Sequence, residues 1–199
     1  TDVRTIAVQS GIRLRSIAIH CRVGRATELV FILATGVMLS IGSGAQAQDV
    51  WDGETDGAFE TDTNWVDDTA PVGADDVQIV AGANTPTVIS TNETVNSLTV
   101  QNTGQLVINA GASLTAPTTV ESGGDLDVDG TVTGTLDNQT GGNTAVASTG
   151  DVDGAVTNTG TLTVNGGSMP SIDNTTGGAA DFDGTVTVDT TITNAAALD

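Results

Sequence analysis

Residues 136–142 read "LDNQTGG", and 172–178 read "IDNTTGG". The match continues without gaps when 136–163 is laid on 172–199. Thr149 falls on Thr185, Val152 on Val188, Asp153 on Asp189, Thr157 on Thr193, Asn158 on Asn194 and Leu162 on Leu198. A fixed period of this size marks a repeat architecture, in which each unit covers the apolar face of its neighbour. A half-step lies inside the period. Asn102, Asn138 and Asn174 form one series and Ser122, Asn158 and Asn194 a second, offset so that units of 20 and 16 residues alternate.

Around the second series, "TVESGGDLDVDG" (119–130) lies on "AVTNTGTLTVNG" (155–166). Apolar and polar residues alternate strictly there, the period of strands with one face buried, and Asn/Gly turns interrupt them where the backbone needs positive φ. A unit of two or three such strands is too small to close a core alone, but it suits one coil of a β-solenoid whose coils pair at about 4.8 Å. The spacing predicts that Asn138 and Asn174 recur as corner residues, because asparagine tolerates the left-handed conformation and bonds its own backbone.

The first 47 residues are of another kind. All five basic residues (Arg4, Arg13, Arg15, Arg22, Arg25) lie there, ahead of an apolar run from Leu29 to Ile41 and then "GSGAQAQDV". This order reads as a secretory signal with Ala45 and Ala47 framing the cleavage site and Gln48 beginning the mature chain. The apolar run is short of the roughly 20 residues that span a bilayer. Cys21 and His20, the only residues of their types, fall in the same leader; the apolar run follows Cys21 rather than preceding it, which argues against lipidation.

Of the 25 carboxylates, all but Asp2 and Glu28 lie in 48–199, so that segment carries 23 acids and no Lys, Arg or His. Salt bridges and disulfides are excluded within it, and nucleic acid and anionic lipid would be repelled. Residues 48–85 do not follow the repeat and contain both tryptophans, Trp51 and Trp65, which suits an N-terminal cap over a solenoid of 86–199. The last unit stops short of its turn, so further coils are expected beyond Asp199.

Trp51, Asn64, Trp65, Pro71, Asp75 and Asp76, leading into "VNSLTVQNTGQLVINAGASLTA", resemble the start of bacterial autotransporter passengers. The "LDNQTGG" and "VTNTGTLTVNGG" units look like the repeats of filamentous-haemagglutinin-like adhesins. The resemblance implies an all-β fold, a right-handed parallel β-helix with an N-terminal cap, exported to the cell surface, the outer membrane or the medium, with a translocator barrel beyond Asp199. Its partner would be a surface receptor or polysaccharide.

Two chemical readings compete with a purely structural one. "GGDLDVDG" (123–130) spaces Asp125, Asp127 and Asp129 as in a calcium loop, but the twelfth position is Leu136 rather than Glu. The repeat alignment places these aspartates outward on a strand, where a solvated acidic face accounts for them. Asp151/Asp153 and Asp181/Asp183 are read the same way. Carboxylate pairs can also work on polysaccharides, yet without a cation in 48–199 nothing there stabilises a developing anion. The sequence therefore predicts no catalytic residue, no metal site and no cofactor on this segment, and the alternatives are an exported polysaccharide-active β-helix enzyme or a calcium-binding matrix protein. The sequons at Asn92, Asn138 and Asn174 would matter only in a eukaryotic secretory pathway.

Overall fold

The structure, a computed structural model, describes residues 48–195 and the backbone of 197–198. Strand β1 (Gln48–Val50) opens a stack of about six coils. The first coil comprises β2 (Asp76–Ile79), β3 (Thr87–Ile89) and β4 (Asn92–Thr94), and the second β5 (Ser97–Val100), β6 (Gln105–Ile108) and β7 (Ser113–Thr115). The third is β8 (Thr118–Val120), β9 (Asp125–Val128) and β10 (Thr131–Thr133); the fourth is β11 (Leu136–Asn138), β12 (Asn143–Val146) and β13 (Asp151–Val152). In the fifth, β14 (Val156–Asn158) and β15 (Thr161–Val164) lead into β16 (Gly167–Asn174), which rounds a corner unbroken into the sixth. There β17 (Ala179–Phe182) leads into β18 (Val186–Asn194), and β19 (Ala197–Leu198) follows.

Every strand pairs in parallel with its counterpart one coil away, which makes the chain a parallel β-solenoid with three faces. The first face is built on β2, β5, β8, β11 and β14, the second on β3, β6, β9, β12, β15 and β17, the third on β4, β7, β10 and β13. Alternation sets what points inward. Val77, Leu98, Leu136, Val156 and Ile172 fill the core from the first face, Leu106, Leu126 and Leu162 from the second, Leu114, Val132 and Val152 from the third. No single coil could bury these side chains, so packing energy and backbone pairing both come from the neighbours.

The second face repeats evenly: Asp125, Asn143, Thr161, Ala179 and Ala197 stand in register at intervals of 18 residues. The alternation of 20 and 16 arises on the first face, where Asn138, Asn158, Asn174 and Asn194 are in register. Its cause is the corner between these faces, which holds four residues at 139–142, two at 159–160 and four again at 175–178. The repeat of 36 is thus two coils of 18. Here the structure corrects the sequence alignment. Val100 and Val120, not Asn102 and Ser122, stack with Asn138; Asn102 and Ser122 lie in four-residue corners, and the interval from Val120 to Asn138 is 18.

A second correction concerns the asparagines. Among the described non-glycine residues only Asp68 and Thr103 have positive φ. Asn138 and Asn174 are extended, inward-facing strand residues, and glycine takes the left-handed position of each four-residue corner: Gly123 (φ 81°), Gly141 (φ 83°) and Gly177 (φ 101°). The equivalent residue of the second coil is Thr103, at φ 64°. A β-branched residue is strained there, so Thr103→Gly is expected to stabilise the fold by about 1 kcal/mol. Urea unfolding of the full chain tests it; an unchanged or lower midpoint would mean that the corner fits threonine without strain.

The segment 48–85, expected as a cap, contributes β1 and β2 to the ladder and covers the open edge of the first coil with the rest. Phe59 N–H donates to Val88 O (3.0 Å) and Val88 N–H to Gly57 O (2.7 Å), so 57–59 lies along β3. The Glu60 carboxylate accepts the Ser90 and Thr91 N–H groups at 3.0 and 3.1 Å. Trp51, Phe59 and Trp65 are fully buried, with edge-to-face ring contacts at 5.2 Å (Trp51 and Trp65) and 4.9 Å (Phe59 and Trp65). An edge that would otherwise template association is closed by backbone pairing and an aromatic plug.

Candidate binding surface and buried polar groups

The outward residues of the second face form a shallow trough of about 350 Å³. Gln105, Asp125 and Asn143 line one row and Val107, Asp127 and Ala145 the next, because residues two apart on a strand share a face and register stacks them between coils. Asn143 Nδ2 donates to Asp125 Oδ1 at 2.9 Å. Partial burial, then the charges of Asp129 and Asp125, raise the Asp127 pKa above its ordinary value. The trough offers amide, hydroxyl and carboxylate groups on a small apolar floor, a surface that can hydrogen-bond sugar hydroxyls and attract cations. Among the described residues, no three acidic, histidine or cysteine side chains converge so that they could hold a metal ion. Asp125 and Asp127 alternate with the buried Leu126 and Val128 and point outward.

The predicted cleavage residues Ala45 and Ala47 lie outside the described residues; Gln48 begins β1. Asn138 and Asn174, two of the three sequon asparagines, are fully buried and so are closed to modification in the folded chain, whereas Asn92 is exposed.

Two buried polar features escaped the sequence reading. The first is a ladder of amides inside the corner between the first and second faces. Asn138 Nδ2 donates to Asn158 Oδ1 (2.7 Å), Asn158 Nδ2 to Asn174 Oδ1 (2.8 Å) and Asn174 Nδ2 to Asn194 Oδ1 (2.9 Å). Asn138 and Asn158 also donate to Thr161 O and Ala179 O, at 2.8 and 2.9 Å. At the top of the ladder, Val120 stands in register with Asn138, and Asn138 Oδ1 has no hydrogen-bond partner among the described residues. The sequence held the signal: Asn138, Asn158 and Asn174 follow the inward Leu136, Val156 and Ile172 by two positions, so alternation alone puts them inside.

The second is Asp49, at an inward position of β1 in register with Val77 and only 6% exposed. Burial, then the charge of Asp75, then that of Asp67, with a hydrogen bond to the Asp75 side chain, raise its pKa from the ordinary 3.8 to about 6. Asp76 next to it in sequence is different. Ser97 Oγ (2.6 Å) and Asn96 Nδ2 (2.7 Å) donate to its carboxylate and hold its pKa low.

A capped three-faced parallel β-solenoid with an acidic exterior and a polar trough is the class of protein that these observations define. Residues 50–153, more than half of the chain, match the family described as a domain of unknown function (DUF8693), and the chain belongs to that family. The matched segment runs from the end of β1 through β13 and so takes in the cap and the trough. Neither curated proteins nor solved structures give a match.

Proposed function

We propose that the chain is an exported cell-surface β-solenoid, a passenger or stalk that serves adhesion or display and does no catalysis on 48–199. The observation that carries this reading is the stack itself: coils added on a constant 18-residue interval of the second face extend a rigid rod, with its first edge closed by the cap. Three features support it. The exterior is acidic throughout, which keeps an extended β surface apart from others like it. Cleavage after Ala47 leaves β1 whole, since the strand starts at Gln48. No helix among the described residues is long and apolar enough to cross a membrane. The trough on the second face is where a polysaccharide or protein receptor would lie, held by side chains repeating at the coil spacing of about 4.8 Å.

Expression of the full chain with a C-terminal epitope in a Gram-negative host tests the reading. The mature product is expected to begin at Gln48, with the epitope open to protease added outside intact cells. Cytoplasmic retention with residues 1–47 intact would overturn it.

A further inference from the structure

We propose that β1 and the segment 51–75 form an acid-fastened latch over the first coil, closed when Asp49 and Asp75 share a proton and loosened when both are ionised. The geometry is that of a carboxyl group in the wrong place for a permanent charge. Asp49 occupies a position that every later coil of the first face fills with an uncharged side chain: Val77, Leu98, Thr118, Leu136, Val156, Ile172. It is 6% exposed. The carboxyl groups that face it come from two segments of the cap, Asp75 on the turn into β2 and Asp67 on the loop after Trp65. From the body of the solenoid it meets Val77 in register. No Lys, Arg or His exists in 48–199 to neutralise the group. A buried carboxylate with two acidic neighbours and no cation is unfavourable, and protonation is the relief available to it.

The direction of the effect follows from linkage. A group whose pKa rises from 3.8 unfolded to about 6 folded contributes stability that is complete below 3.8 and is lost as pH climbs through 6. Asp56 and Asp76 act oppositely, since their lowered pKa values contribute stability that fades only as pH drops below 3.8. The latch is therefore tightest between these limits. The fastening sits where it can act: β1 pairs only with β2, and Val50 O accepts the Val66 N–H at 3.0 Å, so movement of β1 also frees the loop that lies on β3. Opening would uncover the backbone edges of β2 and β3, on which another strand can pair.

Amide exchange on the full chain at pH 5.0 and 7.5, corrected for intrinsic rates, reads the latch at the Trp51, Asp52 and Phe59 amides. Their opening constants are expected to be about tenfold smaller at pH 5.0, while amides of β14 do not differ. Asp49→Asn should remove the pH difference. Asp75→Asn should shrink it, and serves if the first variant does not fold. Acrylamide quenching gives a second readout, because both tryptophans of the chain lie in the cap; quenching should be weaker at pH 5.0 in the wild type. Equal opening at both pH values in the wild type, or an undiminished difference in Asp49→Asn, would overturn the proposal.

Discussion

Replacing Asn158 with alanine is expected to destabilise the fourth to sixth coils by about 3–5 kcal/mol, one of the largest effects available to a single side chain here. Asn158 accepts from Asn138 Nδ2 and donates to both Asn174 Oδ1 and Ala179 O, with no exposure to water. Truncation leaves a cavity and strands the acceptors Asn174 Oδ1 and Ala179 O on one side of it, each at a desolvation cost of roughly 1–3 kcal/mol. The measurement is amide exchange or urea unfolding of the full chain followed by far-UV circular dichroism, because the tryptophans report only on the cap.

Asn158→Asp separates polarity from geometry. It keeps the shape and the acceptor toward Asn138, but the second oxygen meets two acceptors, Asn174 Oδ1 and Ala179 O. The buried carboxyl must be protonated to donate to either. Its folded pKa then lies above the unfolded value, so this variant should regain stability as pH falls from 8 towards 4, whereas Asn158→Ala should not. A loss below about 1 kcal/mol in the alanine variant would mean that the ladder fixes register without contributing much stability.

How much of this was legible beforehand differs between the two corner features. Alternation in "LTV" and "LDV" names the inward residues correctly, because every second side chain must face the core, and glycine in "QTGG" marks the corner because its third position needs positive φ. Asn138 was misread for a related reason. Asparagine beside glycine looks like turn chemistry, yet its phase relative to Leu136 is that of a buried residue, and its polarity is met by the next coil rather than by its own turn. The alignment of Asn102 and Ser122 failed because a period of 36 can hide a change of corner length, and only the hydrogen-bonded register counts the residues in each corner. Asp49 and the trough are beyond local pattern altogether. Both depend on residues brought together across coils or across the loop, such as Asp49 beside Asp75 and Asp125 beside Asn143.

The second large effect is expected at Asn64, which organises the cap as the ladder organises the later coils. The segment between β1 and β2 runs 25 residues with a single 3₁₀ turn (Asp62–Asn64), long for a structureless connection. Asn64 is fully buried and meets four partners: Oδ1 accepts the Thr55 and Asp56 N–H groups at 2.9 and 3.0 Å, and Nδ2 donates to Asp56 Oδ1 and Ala58 O at 2.6 and 2.9 Å. One side chain thus fixes the path of 55–58, immediately before the pairing of Gly57 and Phe59 with Val88. Asn64→Ala removes all four bonds and is expected to weaken the cap by about 3–5 kcal/mol while leaving β14–β17 nearly unchanged, since a solenoid is stabilised mainly between neighbours. Trp51 and Trp65 should become exposed to solvent, with a red-shifted emission. The uncovered edge of β3 should promote self-association, visible by sedimentation and stronger in salt, where the acidic surfaces repel one another less. Loss of cap and later coils in a single cooperative transition would instead show that the stack folds as one unit from its capped end.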